Sequence, residues 1–227
     1  MSADELWICE LGTVEYREAL ALQERVRAAR QQDLIPDVLL LLEHPPVYTR
    51  GRRSSADELP LGEAWYRERG IDIVDVNRGG KLTYHGPGQL VGYPIMRIRD
   101  VLVYLRTTER AIVATLADAG LPARARPDEG PDYTGVWTGD RKIASLGVHV
   151  ARGVTTHGFA INIDNDLEPF EWVVACGLGG VAMTSVARET GGRGDAPAIR
   201  AGVVERFAEA FELRPVATTI DAVSSGP

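Results

Sequence analysis

The sequence predicts a protein of mixed α/β (α+β) class, built as a mixed β-sheet flanked by helices. Three features point there. Apolar stripes at helical spacing recur near the start, middle and end of the chain. A long central stretch reads as short strands separated by Gly-rich turns. Helices and strands do not follow one another as regular βαβ units.

In chain order, Leu6 to Cys9 reads as a short strand. Ala19, Leu22, Val26 and Ala29 fall on one stripe among charged residues, which predicts an amphipathic helix from Val14 to about Gln31. Val38 to Leu42 is a continuous apolar run expected to be a strand buried on both faces, stopped by Pro45 and Pro46. An Arg-, Ser- and Asp-rich loop is expected to about Glu58. Ile71 to Val76 alternates as a strand, and Leu82 to Ile95 reads as two strands interrupted at Gly86-Pro87-Gly88. Val101 to Ala119 predicts a second helix, ended by Gly120 and Pro122. Tyr133 to Ile163 is β-rich, with turns at Gly139-Asp140 and Arg152-Gly153. Asp166 to Ala175 predicts a short helix leading to Cys176. A last helix starts at Asp195 as N-cap, with Pro197 in its first turn and Ile199, Val203, Phe207 and Phe211 facing inward. The expected organisation is one domain over residues 1–213 and a flexible tail over residues 214–227.

Composition narrows the function classes. The 227 residues, 44% hydrophobic and 25% charged, fit a globular chain that buries a core without staples. The two cysteines, Cys9 and Cys176, cannot form a secreted disulfide framework and are read as cytosolic thiols. The N-terminal decapeptide carries Asp4 and Glu5 and no long apolar run, so no signal peptide is expected. The Val38 to Leu42 run is too short to span a bilayer, so no membrane partner is expected either. A net charge of −7 argues against nucleic-acid binding, which depends on many phosphate contacts. Two basic groups, Arg50, Arg52 and Arg53, then Arg124, Arg126, Arg141 and Lys142, are either solvated loops or a docking surface for an acidic partner.

Four segments could carry chemistry. Arg78-Gly79-Gly80-Lys81-Leu82-Thr83-Tyr84-His85-Gly86-Pro87-Gly88-Gln89 joins backbone open to ligand approach with many side-chain donors, or is simply a pair of tight turns. Gly139 to Gly147 places Lys142 at the start of a strand, facing solvent or a pocket. Thr156 to Asn162 holds His157 beside Gly158. In Val173 to Gly180, Cys176 reads first as a small buried hydrophobe; the glycines that follow it let backbone approach and keep a reactive thiol as the second reading. Cys9 reads as core. Scattered histidines and the absence of CxxC or HxxxH spacing leave metal binding unsupported, and no GxSxG occurs for a serine triad.

Taken together, Arg78-Gly79-Gly80, Thr83-Tyr84-His85-Gly86-Pro87-Gly88-Gln89-Leu90, Lys142-Ile143-Ala144, His157-Gly158 and Cys176-Gly177, with Glu43-His44-Pro45 upstream, resemble the lipoyl(octanoyl) transferase family over about Leu6 to Phe211. One position departs: Ala175 stands where the family usually has proline. The resemblance implies a fold like that of the biotin and lipoate protein ligase catalytic domains. It also implies transfer of an octanoyl group from octanoyl-acyl carrier protein to a lysine of a lipoyl domain, with no cofactor. The acceptors implied are 2-oxo-acid dehydrogenase subunits and the H-type carrier of glycine cleavage.

Under that resemblance Cys176 is the nucleophile that carries the acyl group as a thioester, and Lys142 lowers its pKa and serves as acid and base. A thiol near pKa 8.5 is mostly protonated at neutral pH. An ammonium about 4 Å away at an effective dielectric of about 20 contributes up to ~4 kcal/mol, and half of that lowers the pKa by about 1.5. Arg78, Gly79, Gly80, Lys81, Leu82, Thr83, Tyr84, His85, Ser145, Leu146, Gly147, Gly158, Phe159 and Ala160 are implied to line the substrate site. The alternatives are an ATP-dependent lipoate or biotin protein ligase on the same fold, a cysteine thioesterase or amidase, and a non-catalytic acyl- or carrier-binding module.

Overall fold

The apolar run that starts the core fixes the architecture. In a computed structural model that describes residues 4–173, 181–192 and 194–225, Val38, Leu40 and Leu42 enter one hydrophobic cluster. Leu39 and Leu41 enter another on the opposite face, as alternation along a doubly buried strand requires. The chain runs β1 (Glu5–Thr13), α1 (Tyr16–Gln31), β2 (Asp37–Glu43), β3 (Val47–Arg50), α2 (Glu63–Arg67), β4 (Asp72–Asp75), β5 (Thr83–His85), β6 (Gln89–Ile95) and α3 (Val101–Asp118). It continues through β7 (Arg124–Ala125), β8 (Gly135–Thr138), β9 (Arg141–Ala151), β10 (Val154–Asn162), α4 (Glu168–Glu171), α5 (Val186–Thr190), α6 (Ala196–Ala210), β11 (Arg214–Ala217) and α7 (Ile220–Ser225).

Two sheets form. The larger has the order β11-β1-β2-β6-β10-β9-β8-β7, the smaller β4-β3-β5. β1 is parallel to β2 and β11, the remaining pairs of the large sheet are antiparallel, and β3 is parallel to β4 but antiparallel to β5, so both sheets are mixed. One face of the large sheet packs against α3 and α6 through Ile112, Leu116, Ile199, Val203 and Phe207. The other packs against α1 through Ala19, Leu22 and Val26. Tyr48, Tyr66, Ile73 and Tyr84 build a separate core around the small sheet.

Among the described residues the chain crosses between the sheets twice, each time at proline. Pro45 and Pro46 follow β2, where the missing N–H ends the ladder. The residues after them pair again at once as β3, so the loop expected to Glu58 holds a strand, because Val47, Tyr48 and Thr49 are all strand formers. A short helix, α2, also lies in a stretch without helical periodicity. The return crossing is Gly86-Pro87-Gly88, between β5 of the small sheet and β6 of the large one. Gly88 has φ +82°, and a Cβ there would stand 2.5 Å from Asp164 Oδ1 and 2.8 Å from the Asn165 N–H nitrogen, so only glycine fits. Its N–H is taken by Glu43 Oε2 at 2.9 Å.

The two predicted hairpins are present. Arg152 and Gly153 have φ +51° and +75°, the pair of left-handed residues that a type I′ turn needs. Asp195 caps α6 by accepting from Ala198 N at 3.1 Å, as its sequence position predicts. The C-terminal segment corrects an expectation. Residues 214–217 form β11, parallel to β1, and Val223 of α7 is fully buried in the cluster that α1 covers, so this stretch is built into the fold up to residue 225 rather than forming a flexible tail.

Candidate active site

The seam between the two sheets holds a pocket that opens to solvent. The small-sheet side supplies Arg78, Gly80, Lys81, Leu82, Thr83 and His85, the large-sheet side Lys142, Ser145, Leu146, Gly147, His157, Gly158, Phe159 and Ala160. The two strand segments expected at the site face one another in register: Gly158 pairs with Gly147, Phe159 with Leu146 and Ala160 with Ser145. Twelve of the fourteen residues implied as substrate-binding therefore converge on one cavity. Gly79 and Tyr84 do not line it. Gly79 donates its N–H to the Val148 carbonyl at 2.9 Å and so ties the loop to β9. Tyr84 lies between Thr83 and His85 and points to the opposite face, as strand alternation demands, where its ring meets Phe170 and Tyr48 at centroid distances of 5.4 Å.

Arg78 is buried, and its guanidinium folds back on β3. Nη2 donates to the Thr49 carbonyl at 2.8 Å and to Thr49 Oγ1 at 2.7 Å, and Nη1 donates to the Gly79 carbonyl. The arginine thus shapes its own loop as well as the pocket wall.

Lys142 is 2% exposed, which resolves the choice between solvent and pocket in favour of the pocket. Its Nζ stands 5.4 Å from the Trp137 ring centroid, on the adjacent strand. Its backbone bridges to the chain that follows Cys176: Lys142 N donates to the Ala182 carbonyl at 2.9 Å, and Thr184 N donates to the Lys142 carbonyl at 3.0 Å. Space for the lysine comes from Gly135. A Cβ at that position would lie 2.6 Å from Lys142 Cε and 2.5 Å from the Ala144 carbonyl oxygen, and its φ of +144° is one that side chains rarely adopt. Cys176 and Ala175 lie outside the described residues.

Three histidines gather at the seam. His44 Nδ1 donates to the Val14 carbonyl at 2.7 Å, and its Nε2 accepts from the Tyr93 hydroxyl at 2.7 Å. Burial pushes its pKa down to about 4, against the opposing pull of the Val14 bond. Burial does the same to His157, to about 3, helped by the nearby Arg78 charge. His85 is held well below the ordinary histidine range, first by burial and then by His44. The pocket wall at neutral pH therefore presents uncharged imidazoles. His157 also departs from strand geometry, with φ +58°, and its N–H goes to Gln23 Oε1 at 2.6 Å.

Of the two basic groups, the second does not stand as a patch. Arg141 pairs with Glu189 through two 2.7 Å bonds. Arg126 is buried over Trp137 and bonds Asp140 and the Gly139 carbonyl. Arg50 is likewise committed to Asp75 and Glu63. Arg52 and Arg53 are exposed, and Arg53 pairs with Asp132 at 2.8 Å across residues that both line the pocket. Sequence reasoning missed Tyr16, Tyr93, Asp132 and Thr134 as lining residues. They come from a helix start, a core strand and a turn whose sequences carry no site signal.

The fold is shared with lipoate and biotin protein ligases. A lipoate-protein ligase A bound with ATP superposes with TM-score 0.78 at 18% identity, covering 97% of this chain and 92% of that one. A biotin protein ligase from Aquifex aeolicus gives 0.53 at 12% identity, over 91% and 69%. The family model of the lipoyl protein ligase A/B catalytic domain matches residues 15–212. The chain is 49% identical to an octanoyltransferase of Solibacter usitatus over 74% of its own length and 77% of the relative's. It is 39% identical to one of Desulfotalea psychrophila over 96% and 99%. Within that ligase-like class the chain belongs to the octanoyltransferase family, and it is a transferase enzyme. No helix among the described residues is long and apolar enough to cross a membrane.

Proposed function

We propose that the enzyme moves an octanoyl group from octanoyl-acyl carrier protein to the ε-amino group of a lysine on a lipoyl domain, through a thioester on Cys176. The Cys176 thiolate attacks the donor carbonyl, and the carrier thiol leaves with the proton. The acceptor amine then attacks the new thioester, forming an amide and returning the thiolate. Lys142 favours the thiolate and passes the protons in both halves. Leu82, Leu146, Phe159 and Ala160 give the pocket the apolar wall that an eight-carbon chain needs.

The observation that carries this reading is the burial of Lys142 in the pocket with its backbone clamped to Ala182 and Thr184, six and eight residues beyond the cysteine. A cation buried at a pocket wall and tied to the chain leading from the thiol is suited to thioester exchange. The test is intact mass spectrometry after mixing with octanoyl-acyl carrier protein. One octanoyl adduct mapped to Cys176, and its discharge by an apo lipoyl domain, is expected. Lys142→Ala is expected to slow both steps by about 100-fold or more. Product formed instead from free octanoate, ATP and Mg²⁺ would show a ligase. The exposed Arg52 and Arg53 near the pocket mouth suit an acidic carrier. Changing both to Glu is expected to raise KM for the carrier-bound donor and to weaken its salt dependence, with kcat little altered.

A further inference from the structure

We propose that Gln89 and Asn162 are positioning residues for the transfer, acting through a chain of side-chain amides that runs from the Thr184 carbonyl, beside Lys142, to the His85 imidazole in the pocket wall. Asn162 Nδ2 donates to the Thr184 carbonyl at 2.9 Å. Asn162 Oδ1 accepts from Gln89 Nε2 at 2.8 Å, and the same Nε2 donates to the Tyr84 carbonyl at 3.2 Å. Gln89 Oε1 meets His85 Nδ1 at 2.7 Å. Both amide residues are buried.

The direction of this chain is fixed by its backbone ends. Thr184 and Tyr84 each present a carbonyl, which only accepts. Turning the Asn162 amide over would set oxygen against the Thr184 oxygen. Turning Gln89 over would set oxygen against both Tyr84 and Asn162. A single arrangement satisfies every link, and it leaves Oε1, an acceptor, facing His85. Nδ1 must therefore carry the hydrogen. In the neutral ring this makes Nε2 the lone-pair nitrogen, in a side chain that lines the pocket.

At its other end the chain holds residue 184, whose N–H is bonded to the Lys142 carbonyl and whose Oγ1 donates to Glu189 at 2.5 Å. Loss of the Asn162 donor leaves a buried carbonyl unpaired next to the Lys142 bridge, and the ensuing shift moves the lysine relative to the pocket. One amide pair thus sets the hydrogen-bond polarity of one wall of the site and the register of the lysine on the other.

The effect on rate rests on the acyl-transfer reading above, but the His85 tautomer does not, so the two are tested apart. With ¹⁵N-histidine-labelled protein, and His85→Asn to assign the resonance, long-range ¹H–¹⁵N spectra should show His85 as Nδ1–H. An Nε2–H ring in the unsubstituted protein overturns the proposal without any variant having to fold. Gln89→Met and Asn162→Leu remove donors at near-constant size. Gln89→Met is expected to give mixed His85 tautomers, Asn162→Leu to keep Nδ1–H because the Tyr84 carbonyl still orients Gln89, and both to slow single-turnover octanoyl transfer about tenfold, with donor KM within about twofold. Gln89→Glu keeps an acceptor for His85 but has no donor for Asn162, so it should retain Nδ1–H and still lose rate. Variants that keep both the tautomer and the rate overturn the relay. An unsubstituted enzyme that transfers no octanoyl group overturns the proposed function, and the tautomer still decides the relay.

Discussion

At the scale of single residues, the site depends on what is missing as much as on what is present. Lys142 reaches the pocket because residue 135 has no side chain. Gly135→Ala would place a methyl group 2.6 Å from Lys142 Cε and 2.5 Å from the Ala144 carbonyl, in a backbone conformation that alanine resists. The flexible lysine can yield, whereas the strand carbonyl yields only with the strand. The expected outcome is a loss of about 1–3 kcal/mol of stability together with a fall in acyl-transfer rate of about tenfold or more, read by urea unfolding and single-turnover kinetics. A variant of unchanged rate would show that the lysine's placement is not critical. None of this could be read from the sequence, where Lys142 is one cation at a strand end and Gly135 one glycine among 24. What the sequence did carry at this scale was the motif string. Its residues were recognisable together, and the two that turn away from the pocket, Gly79 and Tyr84, do so for local reasons. Gly79 spends its backbone on Val148, and Tyr84 sits one residue out of phase with Thr83 and His85. The phase was written in the sequence; which face of β5 would meet the large sheet was not.

At the scale of elements, periodicity was a sound guide wherever a segment packs against one layer. The first, second and last long helices lie where their stripes place them, because a stripe reports a single buried face, and the β8–β10 meander lies where its turns at Gly139-Asp140 and Arg152-Gly153 divide it. It failed for short segments whose burial is set by distant chain. β3 is four residues with no alternation to display, and its pairing with β4 and β5 is non-local. The C-terminal segment is the clearest case. Residues 214–227 read as a tail, small and polar after Ala217, yet β11 extends the large sheet along β1, and Val223 fills a gap under α1. Removing residues 218–227 should therefore cost about 1.5–3 kcal/mol, the value of one fully buried valine side chain, and lower the melting temperature. Val223→Asp should do at least as much, since it sets a charge in the same place. An unchanged melting temperature on truncation would return the segment to the status of a tail.

At the scale of the whole molecule, the seam that makes the pocket also makes the protein sensitive to acid. His44 ends the strand leaving the large sheet, His85 lies in the small sheet and His157 in the large one, and the rings of His44 and His85 are 5.7 Å apart. All three are kept neutral by burial, with His44 lowered to about 4 and His157 to about 3, whereas the unfolded chain protonates each near 6.5. Between those values the unfolded state binds more protons than the native one, so stability rises with pH. The full stability is present above about pH 6.5, and it falls as pH drops towards the folded-state pKa values. Each ring contributes a slope of about 1.4 kcal/mol per pH unit, so three give about 4. Carboxylates such as Asp72 and Glu63, lowered by their arginine partners, add to acid lability only below their own unfolded range, at more acidic pH. A domain stable by about 5–15 kcal/mol should then lose much of that margin between pH 6.5 and about pH 4.5, before the carboxylates titrate. Urea midpoints measured at pH 7.5, 6.5, 5.5 and 4.5 should fall steadily below 6.5. His44→Gln, which retains a donor and an acceptor for Val14 and Tyr93, should flatten the slope by about a third. A stability that stays level from pH 7 down to pH 5 would mean that the rings take up protons in the folded state, and that the seam is wetter than its packing implies.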